Sequence, residues 1–495
     1  MTTGRLFEDK VAMYLEGLTP EARRMIMRRL GRTEAGAATA SPTSTPPASA
    51  QPLAAHPASA QPPASAQPLA AAHSATPQPP AAPHPPAQPA VRPARPTLGP
   101  TTVMVEARTV LFEPFEPFVV DEPLADRQAG WMRRSSFEGI WTHLLREVLP
   151  DDVGQWELPR ELTPAAAEAA RGVAIPKLRA KAFAALAKLD AEGHRDSRIQ
   201  QKLTARIGGD VALADLRDMI ALEPRLPRIE RLFSQLPSSI STGETAERPC
   251  GTQIAAHLAA DPSDAVYVAA ALGNRVASAG TLVRIACQLA GSAEVADVRR
   301  SPAALFVDVA LSCAERHVTR FRLACLNRAP LPEMLAELKG YHEVVRTASL
   351  AINSEDDRLW RQRLATVRRT MSEPIEDCME GVVQAVRFVM RADRAVHPTE
   401  HDHQDAIRAA AMLAAARRYR DSLALNAVVD RLWPITDQAL QTYGRAALDR
   451  LRTATGRERE DLLAATATLV EIGERIHGED YAALLRKSRE KAIAG

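Results

Sequence analysis

Residues 41–100 read SPTSTPPASAQPLAAHPASAQPPASAQPLAAAHSATPQPPAAPHPPAQPAVRPARPTLGP, and this stretch decides how the chain is organised. It holds 18 of the 37 prolines of the 495-residue chain, 17 alanines, no acidic residue and three copies of ASAQP. It has too few aromatic and β-branched side chains to offset the entropy lost when a backbone becomes ordered. The sequence therefore predicts a disordered Pro/Ala-rich linker over residues 33–100, extended in a polyproline-like manner.

The segment before the linker, residues 1–32, has the pattern of an amphipathic helical hairpin. Large apolar residues recur every three or four positions, and Thr19-Pro20 starts a second helix as N-cap and first-turn proline. A hairpin of about 30 residues is too small to bury a core of its own, so its apolar faces need something to cover them. The predicted partner-binding residues are Phe7, Val11, Leu15, Leu18, Ile26 and Leu30.

Charge is distributed unevenly along the chain. Residues 1–32 carry seven Lys or Arg against four Asp or Glu, and residues 33–100 carry Arg92 and Arg95 against Glu34. The net charge of +2 for the whole chain therefore leaves −2 for residues 101–495. A basic amphipathic hairpin can bind an acidic partner or an anionic membrane surface. The near-neutral body, and the absence of aromatic residues between the arginines, argue against nucleic acid. The predicted basic patch consists of Arg23, Arg24, Arg28 and Arg29.

The sequence of residues 101–495 predicts a mainly α body, built as a multi-helix bundle or an α-solenoid-like stack. At its start, β-branched residues at 103–120 predict a short extended or β arm, in which Pro114 and Pro117 exclude a central strand. Seven of the fifteen Phe and Trp residues lie between positions 112 and 156, which is typical of a core anchor. Ser135 and Glu138 have the spacing of a capping box and predict a helix start.

Polar stretches at 236–251 and 391–404 predict divisions within this body. The predicted parts are an aromatic-rich arm and helical subdomain (101–250), a helical subdomain (251–395) and a C-terminal helical bundle (396–495).

No motif in the sequence identifies a reaction. It contains neither GxxxxGK[ST] nor GxSxG. Cys313 and His317 share a helix face, but apolar residues on the same face indicate a buried thiol and a hydrogen-bonded histidine. The five cysteines, odd in number and without a CxxC, indicate reduced thiols and a cytoplasmic protein. No cofactor is predicted.

Two ExxH motifs have spacing that could serve a metal ion. Glu400 with His403 forms one, and Glu474 with His477 forms the other. Two such motifs on separate helices are part of the di-iron carboxylate pattern of four-helix bundles. Two matches are ordinary by chance in a chain of this length, and the polar neighbours of His403 favour a solvated capping loop. No metal site is therefore predicted. Glu400, His403, Glu474 and His477 are the candidate ligands for the alternative in which a metal ion is bound.

The order of hairpin, tether and helical body favours a non-catalytic cytoplasmic scaffold or adaptor. This layout is similar to that of bacterial polar scaffold and adaptor proteins, in architecture alone. The hypothesis is that the hairpin binds a protein partner or another copy of the chain, while the body holds a second interaction surface. Two alternatives stay open: a metal-dependent enzyme with its site in the C-terminal helical bundle, and a peripheral membrane-binding protein that uses the basic hairpin.

Overall fold

Helices account for most of the structure, as the sequence predicts. The computed structural model describes residues 102–121, 127–352, 357–391 and 397–494. The predicted hairpin (1–32) and linker (33–100) lie outside the described residues.

The first helices of the described chain are mostly short. They are α1 (Ala107–Phe112), α2 (Arg134–His143), α3 (Pro150–Gly154), α4 (Pro164–Ala169), α5 (Ile175–Gly193), α6 (Ser197–Ile207), α7 (Asp210–Leu222) and α8 (Leu226–Gln235). Single π-helical turns, Leu144–Val148 and Ala170–Ala174, continue α2 and α4. Between α6 and α7 the chain turns at Gly208-Gly209, where Gly208 has a φ of +109° that residues other than glycine rarely adopt.

The helices then become longer. The middle of the chain forms α9 (Glu244–Ala260), α10 (Ala265–Gly273), α11 (Gly280–Ala290), α12 (Val295–Arg300), α13 (Ala304–Leu326), α14 (Leu331–Ala351), α15 (Arg358–Met379) and α16 (Val382–Met390). The last part forms α17 (Glu400–Arg418), α18 (Asn426–Leu451), α19 (Gly456–His477) and α20 (Glu479–Ala494). A capping box starts α17, because Thr399 and Asp402 each accept a hydrogen bond from the backbone N–H of the other.

Short strands occur near the start of the described chain. They are β1 (Val103–Val105), β2 (Val119–Val120), β3 (Met132–Arg133) and β4 (Arg160–Leu162). β1 pairs with β4 in antiparallel register, with Val103 opposite Leu162. β2 pairs with β3 in parallel, with Val119 opposite Met132.

The predicted extended arm at 103–120 is mostly helical, so this part of the sequence prediction was wrong. Between β1 and β2 the chain forms α1 and then a 3-10 helix, Glu113–Phe118. Phe112, Phe115 and Phe118 are spaced by three, the period of a 3-10 helix, and none is more than 2% exposed. Pro114 lies in the first turn of this helix, where a missing N–H costs no hydrogen bond. The aromatic cluster is therefore a core anchor, as predicted.

The predicted capping box at Ser135 and Glu138 was also wrong. The N-cap of α2 is Arg133, and its side chain makes no capping hydrogen bond. The neighbouring Ser136 instead donates its hydroxyl to Asp215 on α7, at 2.7 Å. The local sequence pattern identified a helix start, but the serine hydroxyl at this end bonds across the core.

One hydrophobic core cluster runs through the described chain, from Val105 to Ile476. The three predicted subdomains share this core, and α9 passes through the predicted boundary at 250. The boundaries near 250 and 395 stay predictions. A smaller apolar cluster joins the last three helices through Ala447, Leu451, Ala454, Leu462 and Ala492.

The last helices alternate in direction. His397 contacts Asp461, and His403 contacts Thr468, so the partner advances along α19 as the residue advances along α17. α17 and α19 are therefore parallel. α20 runs back along α19, because Arg489 contacts Thr466 while Arg459 contacts the carbonyl of Ile493.

Candidate interaction groove

Two parallel helices, α13 and α15, form the walls of an open groove. Three side-chain contacts join them in the same order along both helices: Asp308 with Trp360, Glu315 with Arg363, and Arg322 with Glu373. Since both members of each pair advance towards the C-terminal end, the two helices point the same way. The groove between these walls encloses about 630 Å³.

The floor of the groove is apolar and its rim is partly exposed. Val318, Trp360 and Val367 form the floor and are at most 5% exposed. Leu359 lies on the rim with 62% of its surface exposed. Further lining comes from Thr319, Gln362, Thr366 and Thr370. An exposed leucine beside a buried tryptophan is the kind of surface that a helix of another protein can cover.

The charged residues of the walls bond to one another. Arg363 on α15 donates to both carboxylate oxygens of Glu315, at 2.6 and 3.0 Å, and to the hydroxyl of Ser312, at 2.6 Å. The Ser312 hydroxyl in turn donates to the side-chain oxygen of Gln128, at 3.0 Å, which extends the hydrogen-bond network into the core. A bidentate guanidinium–carboxylate pair of this kind holds the two helices at a fixed spacing.

Arg299 lies over Trp360 of the groove floor. The Arg299 guanidinium lies 4.9 Å from the centroid of the indole ring and pairs with Asp357 at 3.2 Å. The indole N–H donates to Asp308 at 2.8 Å. Because these groups satisfy each other, the groove offers apolar surface and hydroxyl groups to a ligand, which suits binding by shape and burial.

Buried carboxylates elsewhere in the body serve the fold. Asp264 is fully buried, and it bonds Arg228 at 2.6 Å and His257 at 2.8 Å. Nearby, hydrogen bonds from the hydroxyl and amide of Ser263 lower the pKa of Asp261 to about 2. Asp264 lies between α9 and α10 and ties both to Arg228 of α8, which is a structural role.

A second buried carboxylate, Glu247, lies on α9. Burial opposes its ionisation, but hydrogen bonds from Arg284, the Gly243 amide and Thr281 outweigh burial and lower the pKa of Glu247. Sequence reasoning missed Asp215, Glu247 and Asp264. A signal existed for Asp215, which falls on the apolar stripe of α7 with Ala212, Leu216 and Met219.

The four candidate metal ligands have separate partners. His403 is buried, and its Nδ1 lies 2.8 Å from the hydroxyl of Thr468, whereas Glu400 is exposed and bonds Gln404. The prediction for His403 is correct about the capped helix start, which Thr399 and Asp402 form, but wrong about solvation, because the side chain is buried. The remaining two candidates pair with other helices: Glu474 with Arg486 of α20, at 3.0 Å, and His477 with Asp437 of α18, at 2.8 Å.

The two ExxH motifs also lie at different heights along the parallel pair of α17 and α19. His403 is level with Thr468, so His477 lies nine positions further along, or about 13 Å at a helical rise of 1.5 Å. Within the described ranges, no group of three or more His, Cys, Asp and Glu side chains is arranged to hold a metal ion.

Cys313 and His317 are placed on α13 as the sequence indicated. Cys313 is buried, which raises the pKa of its thiol to about 11. The Nδ1 of His317 lies 2.7 Å from Glu337 of α14. The pair belongs to the packing of α13 against its neighbours.

The remaining predicted sites, the hairpin residues Phe7, Val11, Leu15, Leu18, Ile26 and Leu30 and the basic patch at Arg23, Arg24, Arg28 and Arg29, lie outside the described residues and stay predictions.

No protein-family model, curated protein or solved structure matches the chain significantly. In the part of the chain that the structure describes, no helix combines the length and the apolar character needed to cross a bilayer.

Proposed function

We propose that this protein is a non-catalytic scaffold that self-associates, with the hairpin of one copy bound in the groove between α13 and α15 of another. The observation that carries the proposal is the groove itself, with Leu359 62% exposed beside the buried Trp360. Covering such a rim removes apolar surface from water, at about 25 cal/mol for each Å². The groove walls are charged residues already bonded to each other, so a bound apolar helix face leaves few polar groups unpaired.

The proposed occupant is the hairpin because its predicted apolar face has the matching character. Its residues Phe7, Val11 and Leu15 follow helical spacing, and no core of its own can bury them. A linker of 68 residues at 33–100, treated as a random coil, spans roughly 40–50 Å on average. That reach lets the hairpin leave its own body and contact a neighbouring copy.

The test measures the oligomeric state of the full-length chain by light scattering after size exclusion, over a range of concentrations. The expected result is reversible self-association, which Leu359→Glu in the groove and Leu15→Asp in the hairpin each reduce to monomer. Leu484→Glu is the matched control, because Leu484 is 65% exposed on α20, away from the groove. A wild-type chain that stays monomeric, or a control that dissociates as well, would overturn the proposal.

A second experiment separates the scaffold from its alternatives. Deleting residues 1–32 should leave the circular dichroism and thermal unfolding of the body unchanged while abolishing self-association. If the body unfolds, the hairpin is part of its core.

Two further measurements test the alternatives. Salt-sensitive flotation with anionic liposomes would indicate a membrane surface as the partner. Iron, manganese or zinc at about one equivalent in the purified protein, lost in the double variant Glu474→Gln and His477→Gln, would indicate the enzyme.

A further inference from the structure

Two free thiols meet at the ends of the groove helices. Cys325 is the next-to-last residue of α13, and Cys378 is the next-to-last residue of α15. Because the helices are parallel, these equivalent positions lie side by side, and each thiol is close enough to shift the pKa of the other. Both cysteines are free and partly exposed. A disulfide requires Cα atoms roughly 4.4–6.8 Å apart and Cβ atoms that face each other, and neighbouring positions on packed helices can meet both conditions.

The surroundings of the pair lower the pKa of Cys378 and raise the pKa of Cys325. The hydrogen bond from Cys325 and the Arg408 guanidinium lower the pKa of Cys378, against burial and the carboxylates of Asp377 and Asp405. The same hydrogen bond and burial raise the pKa of Cys325. Arg408 comes from α17, and its buried Nε has no hydrogen-bond partner among the described residues. Its positive charge also offsets the negative C-terminal ends of α13 and α15.

We propose that Cys325 and Cys378 form a redox pair that a hydroperoxide converts into an intramolecular disulfide. The Cys378 thiolate attacks one oxygen of hydrogen peroxide, the O–O bond breaks, hydroxide leaves, and Cys378 becomes a sulfenic acid. The Cys325 sulfur then attacks the Cys378 sulfur, the S–O bond breaks, and water leaves with the thiol proton. Two thiols are oxidised by two electrons, and one peroxide is reduced to two molecules of water once the hydroxide takes up a proton.

The pair is chemically distinct from the other cysteines of the chain. Burial raises the pKa of Cys250, Cys287 and Cys313, which keeps these thiols protonated and slow to react. Oxidation would join the C-terminal ends of α13 and α15, one turn beyond the Arg322–Glu373 ion pair, and so add a covalent link to the ion pairs that already hold the groove walls together. The redox pair does not depend on what the groove binds.

The first experiment counts thiols in the full-length chain. Reduced protein is treated with hydrogen peroxide, denatured, alkylated with N-ethylmaleimide and weighed by mass spectrometry. We expect three adducts on the five cysteines instead of five, a disulfide between the Cys325 and Cys378 peptides, and recovery of all five after reduction. Cys287→Ser is the matched control and should still lose two thiols. Retention of every thiol, or a disulfide that joins any other cysteine or a second chain, overturns the proposal.

The second experiment assigns the roles. In Cys325→Ser, a sulfenic acid should persist on Cys378 and be trapped by dimedone; in Cys378→Ser, Cys325 should stay reduced. The reverse pattern contradicts the assignment.

A third experiment tests the role of Arg408. Arg408→Met should shift the pH profile of Cys378 alkylation upward and slow the oxidation of Cys378 several-fold, while Arg408→Lys restores both. Equal profiles for wild type and Arg408→Met, with unchanged circular dichroism, would show that Arg408 does not position the thiolate charge.

Discussion

Asp215 on α7 accepts a hydrogen bond of 2.7 Å from the hydroxyl of Ser136 on α2, across 79 positions of sequence. The same carboxylate accepts the backbone N–H of Arg133 and the Nε–H of Arg127, each at 3.0 Å. Asp215 is only 1% exposed, so its charge is balanced by these donors instead of by water. One side chain therefore holds the segment 127–136 against the core.

Replacing Asp215 with alanine should lower the free energy of unfolding by about 3–5 kcal/mol. The change removes the acceptor of three donors and leaves Arg127 without one of its two carboxylate partners, and breaking a buried pair costs energy of this order. Urea unfolding followed by circular dichroism measures the difference. Asp449→Ala is the control, because Asp449 forms an exposed pair with Arg452 and should cost less than about 1 kcal/mol. Equal losses for both variants would contradict the role of Asp215.

The sequence predicted the elements that depend on local pattern and missed the contacts that depend on distant partners. The sequence of residues 101–495 predicted a mainly α protein, and the Phe and Trp residues between positions 112 and 156 predicted a core anchor. The 103–120 arm was misread because β-branched residues masked the spacing by three of Phe112, Phe115 and Phe118, which is the period of a 3-10 helix.

The groove and the thiol pair could not have been predicted from the sequence. Cys325 and Cys378 meet because α13 and α15 are parallel and end at the same height, and no local pattern fixes that packing. His403 has polar sequence neighbours and yet is buried, because its partner Thr468 comes from α19. Local composition therefore gave the wrong environment for a residue whose surroundings are set by tertiary packing.

Gly139 should be intolerant of any side chain. A Cβ built on this residue of α2 would lie 2.0 Å from the carbonyl oxygen of Ile207 at the end of α6, and backbone cannot yield as a flexible side chain can. We expect Gly139→Ala to destabilise the protein by about 1–3 kcal/mol, the usual cost of overpacking, despite the better helix propensity of alanine.

Gly172→Ala is the control for this prediction. A Cβ at Gly172 meets nothing within 4 Å, so the variant should be neutral or slightly stabilising. Thermal unfolding of the two variants beside the wild type gives the comparison. A Gly139→Ala protein as stable as Gly172→Ala would show that α2 and α6 are not packed this closely.

The stability of the protein should fall as the pH drops below neutrality, in part because of His143. Burial lowers the pKa of His143, and neither ring nitrogen has a hydrogen-bond partner among the described residues. Burial also lowers the pKa of His342. Below the ordinary value of 6.5 the unfolded chain therefore binds more protons than the folded one, and the free energy of unfolding decreases as pH falls.

The contribution of His143 is measured with His143→Leu. Unfolding free energies at pH 8 and at pH 5.5 should differ less in the variant than in the wild type, because the unfolded-state proton uptake at this position has been removed. The measurement at pH 8, where the histidine is neutral in both states, gives the packing effect of the substitution alone. An identical pH dependence in both proteins would exclude His143 as a source of it.

The hydroxyl of Thr468 should stabilise the contact between α17 and α19. The Thr468 hydroxyl donates its single proton to the carbonyl of Ala464, at 3.1 Å. In its 2.8 Å hydrogen bond with His403 it must therefore be the acceptor, so the Nδ1 of His403 carries the proton. Thr468→Val keeps the shape of the side chain and removes the acceptor of that buried N–H. We expect a loss of about 1–3 kcal/mol in the free energy of unfolding, measured in urea. Thr370→Val is the control and should cost less, because the hydroxyl of Thr370 bonds only the carbonyl of Thr366 on its own helix. A coupling energy near zero in the double-mutant cycle of His403→Leu with Thr468→Val would refute the bond.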